Sequence, residues 1–294
     1  MDVVICHYNK GGAVHLRYMA LHGVAFLCRD RPLDMNIVFV DGSPSKDYEL
    51  ETKLDALGVE YLHFDKELSF AQTYNAGIRR GSSPVVVTLA NDILVEAKQV
   101  RQLADEIRGK VGCAFPYMSC SDYGGQKQRK LLVPRRCFPS RMTINVNAFS
   151  REALEMVGLI PECMSGCFND VVLFIRLREE GWSIVLRNVG QVFHIGQQTL
   201  KTLCSSVSYE ADEAIFAGNY PQYWRKGVIL FHKTAQRWTT RAMYGMIEWL
   251  PARSVRRLNL WRWAWAIEPY LCAERGTVLE GVGRIFRVPI RRVL

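Results

Sequence analysis

Short apolar runs alternate with amphipathic stretches from residue 3 to about residue 109, and this alternation constrains the fold more than any other feature. Val3–Tyr8, Asn36–Val40, Val59–Phe64 and Pro84–Leu89 read as buried strands. The segments at about 14–29, 47–57, 70–80 and 97–109 read as helices. Strand-length runs separated by helical patterns predict an α/β unit with a largely parallel sheet. Right-handed crossovers put the loops after the strands on one edge, where ligands bind. The informative residues are therefore those just past each strand: Tyr8 and Asn9, Asp41-Gly42-Ser43, and Asn91 and Asp92.

The next hundred residues are less regular. Ser119–Arg136, rich in Gly, Ser, Lys and Arg, predicts a long surface loop. Helices are expected at about 150–157 and 169–180, the second stopped by Gly181. A strand is expected at about 183–187, then a short apolar run, Val192-Phe193-His194, and a mobile loop over 196–208. No internal repeat is visible.

Charge divides the chain. The formal net charge is +9, but residues 228–294 hold twelve Lys and Arg against four Asp and Glu, and five of the seven Trp. A near-neutral body with a basic, Trp-rich tail is not a uniformly basic nucleic-acid binder. The nine cysteines are scattered, with no Cys-x-x-Cys pair, which predicts reduced thiols acting as small hydrophobes. The first strand starts at Val3, and no apolar run reaches the roughly 18 residues of a membrane span. A cytoplasmic protein is expected.

Four positions carry candidate chemistry. Asp92 ends a strand run, where a carboxylate can hold a divalent cation and through it a diphosphate; turn or capping chemistry explains it equally well. Asp170 lies in the first turn of a helix, whose dipole favours the anion that a general base needs. A first-turn acid that only stabilises the helix is the alternative. His194 follows an apolar strand run at the edge of a cleft, as a ligand or as a structural hydrogen-bonder. Asp41 precedes a Gly-Ser turn and is open to turn chemistry.

The order of these stretches resembles GT-A fold glycosyltransferases of family 2, a group that includes bacterial rhamnosyl- and galactofuranosyl-transferases. Val4-Ile5-Cys6-His7-Tyr8-Asn9 resembles the opening strand, and Ile37-Val38-Phe39-Val40-Asp41-Gly42-Ser43 the second strand and its turn. Ser69–Ile78, with Asn75-Ala76-Gly77-Ile78, is similar to the following helix. Leu89-Ala90-Asn91-Asp92 stands where a metal motif is expected, and Asn169-Asp170 resembles the Glu-Asp motif. Phe193-His194 matches a late histidine, and the resemblance covers about residues 1–200.

The resemblance implies a GT-A (Rossmann-like) α/β fold: a mixed, mainly parallel sheet flanked by helices, with a C-terminal helical extension. It implies an inverting, metal-dependent transfer of a sugar from a nucleotide-sugar donor to a hydroxyl of a glycan or lipid-linked acceptor. Tyr8 and Asn9 would meet the nucleotide base and ribose, with Asp41 at the base. Asn75 would shape the pocket, and Asn91 would lie on the nucleotide sugar. Asp92 and His194 would hold Mn2+ or Mg2+, and Asp170 would be the catalytic base. The chain departs from the pattern at Ala90, Asn169, Val172 and Tyr74, and it has one Asp after the second strand. A non-catalytic nucleotide-sugar-binding or scaffold protein therefore stays open. A nucleotidyltransferase is disfavoured by the lack of a Gly-rich, Lys- or Arg-bearing loop after the first strand, although Lys10-Gly11-Gly12 keeps it in play.

The expected organisation is a catalytic domain over 1–227, with a donor half at about 1–112 and an acceptor half at 113–227, then a tail over 228–294. In the tail, Thr234–Leu250 and Ala252–Leu271 have helical character, with Pro251 and Pro269 as boundaries. Basic helices with Trp suit an anionic membrane surface, here the inner face of a membrane. Packing on the body or on a second copy in a homo-oligomer is the other reading. No nucleic-acid motif is present.

Overall fold

The computed structural model describes residues 1–120, 138–139, 144–195 and 209–221. The expected tail over 228–294, the loop over 196–208 and most of the loop over 119–136 lie outside the described residues, as does the domain boundary at 227.

The first half follows the sequence pattern closely. Strand β1 (Asp2–His7) leads to α1 (Val14–Cys28), β2 (Asn36–Asp41), α2 (Tyr48–Asp55), β3 (Glu60–His63), α3 (Phe70–Arg80) and β4 (Val85–Ala90). β1, β2, β3 and β4 pair in parallel, in the order β3-β2-β1-β4. Alternate residues of β1 serve opposite layers. Val3 and Ile5 face the cluster of Leu27 in α1 and Leu50 and Leu54 in α2, and Val4 faces Tyr74 and Ile78 of α3. Burial on both faces explains why these strands read as continuous apolar runs.

Local chemistry fixes where the helices start. The Asp47 side chain accepts from the Leu50 N–H, and Ser69 and Gln72 form a reciprocal capping box at α3. Gly77 lets α3 lie on the sheet: a Cβ there would stand 2.3 Å from Val4 Cγ1. Gly42, just past β2, has the same constraint, with Thr73 Oγ1 2.4 Å from where its Cβ would be.

The second half adds β5 (Ile93–Leu94), α4 (Ala97–Ala104), β6 (Val111–Cys120), β7 (Phe138–Pro139), β8 (Val146–Ser150), α5 (Arg151–Met156), α6 (Asn169–Glu179), β9 (Ser183–His194) and α7 (Tyr209–Asn219). The described strands form one sheet in the order β3-β2-β1-β4-β8-β6-β9-β5, with β7 on β6. β8 runs antiparallel to β4 and β6, β6 is parallel to β9, and β5 is antiparallel to β9. The sheet is thus mixed, with its parallel half at the N-terminal side.

Several expectations need correction. The fourth helix stops at Ala104, five residues short of 109. Ser119 and Cys120 belong to β6 and not to a loop. The pieces expected at 183–187 and 192–194 are one strand, β9, which bulges where β6 advances from Pro116 to Met118 and β9 from Arg187 to Val192.

Candidate active site

The strand ends place the expected residues in three groups. The first joins β1 to β2. Asp41, at the end of β2, accepts from the Ser43 N–H at 3.0 Å, from the Ser43 hydroxyl, and from the Tyr61 hydroxyl at 2.7 Å. Ser43 Oγ in turn accepts from the Asn9 N–H at 2.8 Å. The Asn9 side chain closes the loop before α1, accepting from the Ala13 N–H at 2.8 Å and donating to the Ala13 carbonyl at 3.1 Å. Tyr8 donates to Glu67, which also pairs with Lys10. Burial, then the Glu67 carboxylate, push the Tyr8 hydroxyl well above its ordinary pKa.

The second group lies past β4. Asp92 and His194 meet because β5 and β9 pair, with Ile93 opposite His194 and the Ile195 N–H on the Asp92 carbonyl at 3.0 Å. This brings His194 Nε2 to 3.1 Å from Asp92 Oδ1, both residues being buried. The neighbouring Asn91 donates from Nδ2 to His7 Nδ1 at 2.8 Å, so His7 carries its proton on Nε2. Among the described residues no group of three His, Cys, Asp or Glu side chains could hold a metal ion.

A carboxylate and an imidazole are nonetheless a workable donor pair for Mn2+ or Mg2+ when substrate phosphates and water complete the shell. Their 3.1 Å contact is that of a direct ion pair, and His194 Nε2 would have to give up its proton, and with it this contact, to bind a cation. The Tyr74 hydroxyl is a buried donor without a hydrogen-bond partner among the described residues, and it feels the Asp92 charge. Burial above all, then Cys6 and Asp92, raise its pKa.

The third group is the start of α6. Asp170 sits in its first turn and accepts the Val171 N–H on Oδ1 at 2.8 Å. Burial pushes its carboxyl up to about 7, against the lowering effect of that bond. Asn75 lies on α3. Its buried amide donates to the Ile160 carbonyl at 2.8 Å and to Glu162 at 2.7 Å, and accepts from the Ile160 N–H at 3.1 Å. Asn169 donates to the Pro161 and Met164 carbonyls at 2.7 and 3.2 Å. The two amides pin the loop that leads to Asp170.

Residues 2–168 match the family model described as Glycosyl transferase family 2. The chain belongs to glycosyl transferase family 2. A search of the curated proteins by sequence finds no match. Solved structures resemble this glycosyltransferase in fold. S. aureus TarS in complex with UDP-GlcNAc is 12% identical with a TM-score of 0.55, over 99% of this chain and 82% of that one. The mannosyltransferase PcManGT from Pyrobaculum calidifontis, in complex with GDP-Man and Mn2+, is 15% identical with a TM-score of 0.50, over 99% and 81%. Glucosyl-3-phosphoglycerate synthase from Mycobacterium tuberculosis, in complex with Mg2+ and UDP, is 16% identical with a TM-score of 0.50, over 74% and 78%. These neighbours bear out the GT-A architecture.

The family match contains Tyr8, Asn9, Asp41, Asn75, Asn91 and Asp92 but stops before Asp170 and His194. Sequence reasoning missed the residues that hold the candidate site residues in place: His7 on Asn91, Tyr61 and Ser43 on Asp41, and Glu67 on Tyr8. His7 and Ser43 stood inside the motifs already singled out. Tyr61 and Glu67 carried no local signal, because only the fold brings them there.

Proposed function

We propose that this family 2 glycosyltransferase moves a sugar, with inversion, from a nucleotide-sugar donor to a hydroxyl of a glycan or lipid-linked acceptor, and that it depends on Mn2+ or Mg2+. The observation that carries this reading is the Asp92–His194 pair at the ligand-binding edge of the sheet. Asp92 and His194 would hold the cation, which would supply positive charge to the leaving diphosphate.

The chain's own residues do the rest. The loops after β1 and β2, held rigid by the Asn9–Ser43–Asp41 bonds, form the wall for base and ribose, with Tyr8 at its rim. Asp170 takes the proton of the acceptor hydroxyl as that oxygen bonds to the anomeric carbon. The bond from that carbon to the diphosphate oxygen breaks on the opposite face, so the configuration inverts. A base raised to about 7 suits proton removal near neutral pH. The sequence of 228–294 supports a basic contact with an anionic membrane surface, where a lipid-linked acceptor would be found.

A thermal-shift panel of UDP-glucose, UDP-GlcNAc and GDP-mannose, each with and without Mn2+ or Mg2+, tests the donor site. We expect at least one donor to raise Tm only with the cation, and Asp92→Asn to lose that gain. Stabilisation that ignores both the cation and Asp92 would contradict the assignment.

A further inference from the structure

α7 touches the turn before α6, the helix that carries Asp170, through a buried carboxylate that the transfer mechanism does not use. Asp212 is 2% exposed. It accepts from the Ser165 N–H at 2.7 Å, the Ser165 hydroxyl at 2.9 Å, the Gly166 N–H at 3.0 Å and the Cys167 N–H at 2.8 Å. Three successive backbone N–H groups converging on one anion make a nest, and the anion here comes from the protein itself. Burial pushes the Asp212 carboxyl up, but the donors from Ser165, Cys167 and Gly166 outweigh it and hold it below its ordinary pKa.

One turn further along α7, Phe216 stacks on Phe168 with ring centroids 5.0 Å apart, and Tyr220 stacks on Phe216 at 5.7 Å. Phe168 is the residue before α6 and has a left-handed backbone, φ 64° and ψ −6°. Such a conformation in a non-glycine residue persists only where its surroundings over-determine it. Asp212 fixes the three residues before Phe168, and Phe216 fixes its ring. The Phe168 carbonyl then accepts the Val172 N–H at 2.9 Å, which starts the helix turn bearing Asp170.

We propose that Asp212 is a positioning residue for Asp170: through the 165–168 turn it sets the orientation of the base without touching the donor. The inference rests on the reading of Asp170 as the base. It predicts a loss in turnover without a loss in donor binding, and a loss that vanishes once the base is gone.

The test uses the full chain with Mn2+ and the nucleotide sugar that the wild type turns over, measuring nucleoside diphosphate release and donor Kd by calorimetry. Asp212→Asn should lower kcat at least tenfold while donor Kd stays within twofold. In the Asp170→Asn background the same change should alter the residual rate by less than twofold. An unchanged kcat, a parallel loss of donor affinity, or an equal penalty in both backgrounds would overturn the proposal. If Asp212→Asn does not fold, Ser165→Ala, which removes one of the four bonds, should show a smaller effect with the same split. An Asp170→Asn variant with full turnover would instead refute the base assignment, which the wild-type and single-variant rates reveal on their own.

Discussion

A carboxyl in the first turn of a helix meets two opposed effects. The helix N-terminus and the Val171 N–H favour the anion, while burial favours the acid. At Asp170 burial wins, raising the carboxyl from 3.8 to about 7. A carboxyl raised on folding stabilises the protein fully below 3.8, and that contribution is lost as pH climbs to about 7. Two outcomes follow at this scale. In a steady-state pH profile, kcat/KM should rise with pH and level off above about 7, because only the anion accepts a proton. A flat profile from acid to neutral pH would count against the base. In urea melts, Asp170→Asn should be more stable than wild type at pH 8 and close to it at pH 4. The proposed metal pair, Asp92 and His194, behaves differently. Asp92→Asn should raise the Mn2+ concentration for half-maximal activity at least about tenfold, since even supporting residues of a metal site are worth about 10–100-fold.

The elements of this fold are joined by buried polar contacts as well as by apolar clusters. Arg151, at the start of α5, donates to Asp2 Oδ2 at 2.9 Å, to the Ser83 carbonyl at 2.6 Å and to the Ile78 carbonyl at 2.7 Å. It thereby ties β1, the end of α3 and the entry to β4 to the second half of the chain. Burial pushes the Asp2 carboxyl up, but Ser83, Asn36 and Arg151 outweigh it and hold it below 3.8. A depressed carboxyl gives stability above 3.8 that is lost as pH falls further. Arg151→Met should cost about 3–5 kcal/mol at pH 7 and somewhat less near pH 2, where the Asp2 pairing is lost but the bonds to the Ser83 and Ile78 carbonyls still count, as read in urea melts. What the sequence announced at this scale depended on burial. β1, β2, β3 and β4 are apolar runs with helical patterns between them, and their strand-end residues lay where ligand-binding loops belong. β6 was hidden because Gly112 and Pro116 interrupt it. β8 is short, and it holds the buried Asn147, which donates to Cys113 Sγ at 3.5 Å. β9 looked like two pieces because of its bulge. Pairings such as His7 with Asn91, Asn75 with Ile160 and Asp212 with Ser165 join distant segments, and a single sequence carries no trace of them.

The whole molecule separates chemistry from charge. The carboxylates of the proposed site belong to a body that is nearly neutral, while residues 228–294 hold almost all of the net +9. Among the described residues no helix is long and apolar enough to cross a membrane. A peripheral contact would instead draw on about 1 kcal/mol for each Lys or Arg near an anionic surface, and salt would screen it. The full chain should float with vesicles containing phosphatidylglycerol at low salt, and should be released from them at about 1 M salt. Equal flotation with pure phosphatidylcholine would point away from the basic tail as the contact. The central claim is metal-assisted sugar transfer with Asp170 as the base, and nucleoside diphosphate release from the nucleotide-sugar panel tests it most directly. Wild-type release should require Mn2+ or Mg2+ and should fall about 10²–10⁴-fold in Asp170→Asn. Release that continues with the cation chelated, or an Asp170→Asn variant that keeps full turnover, would contradict it.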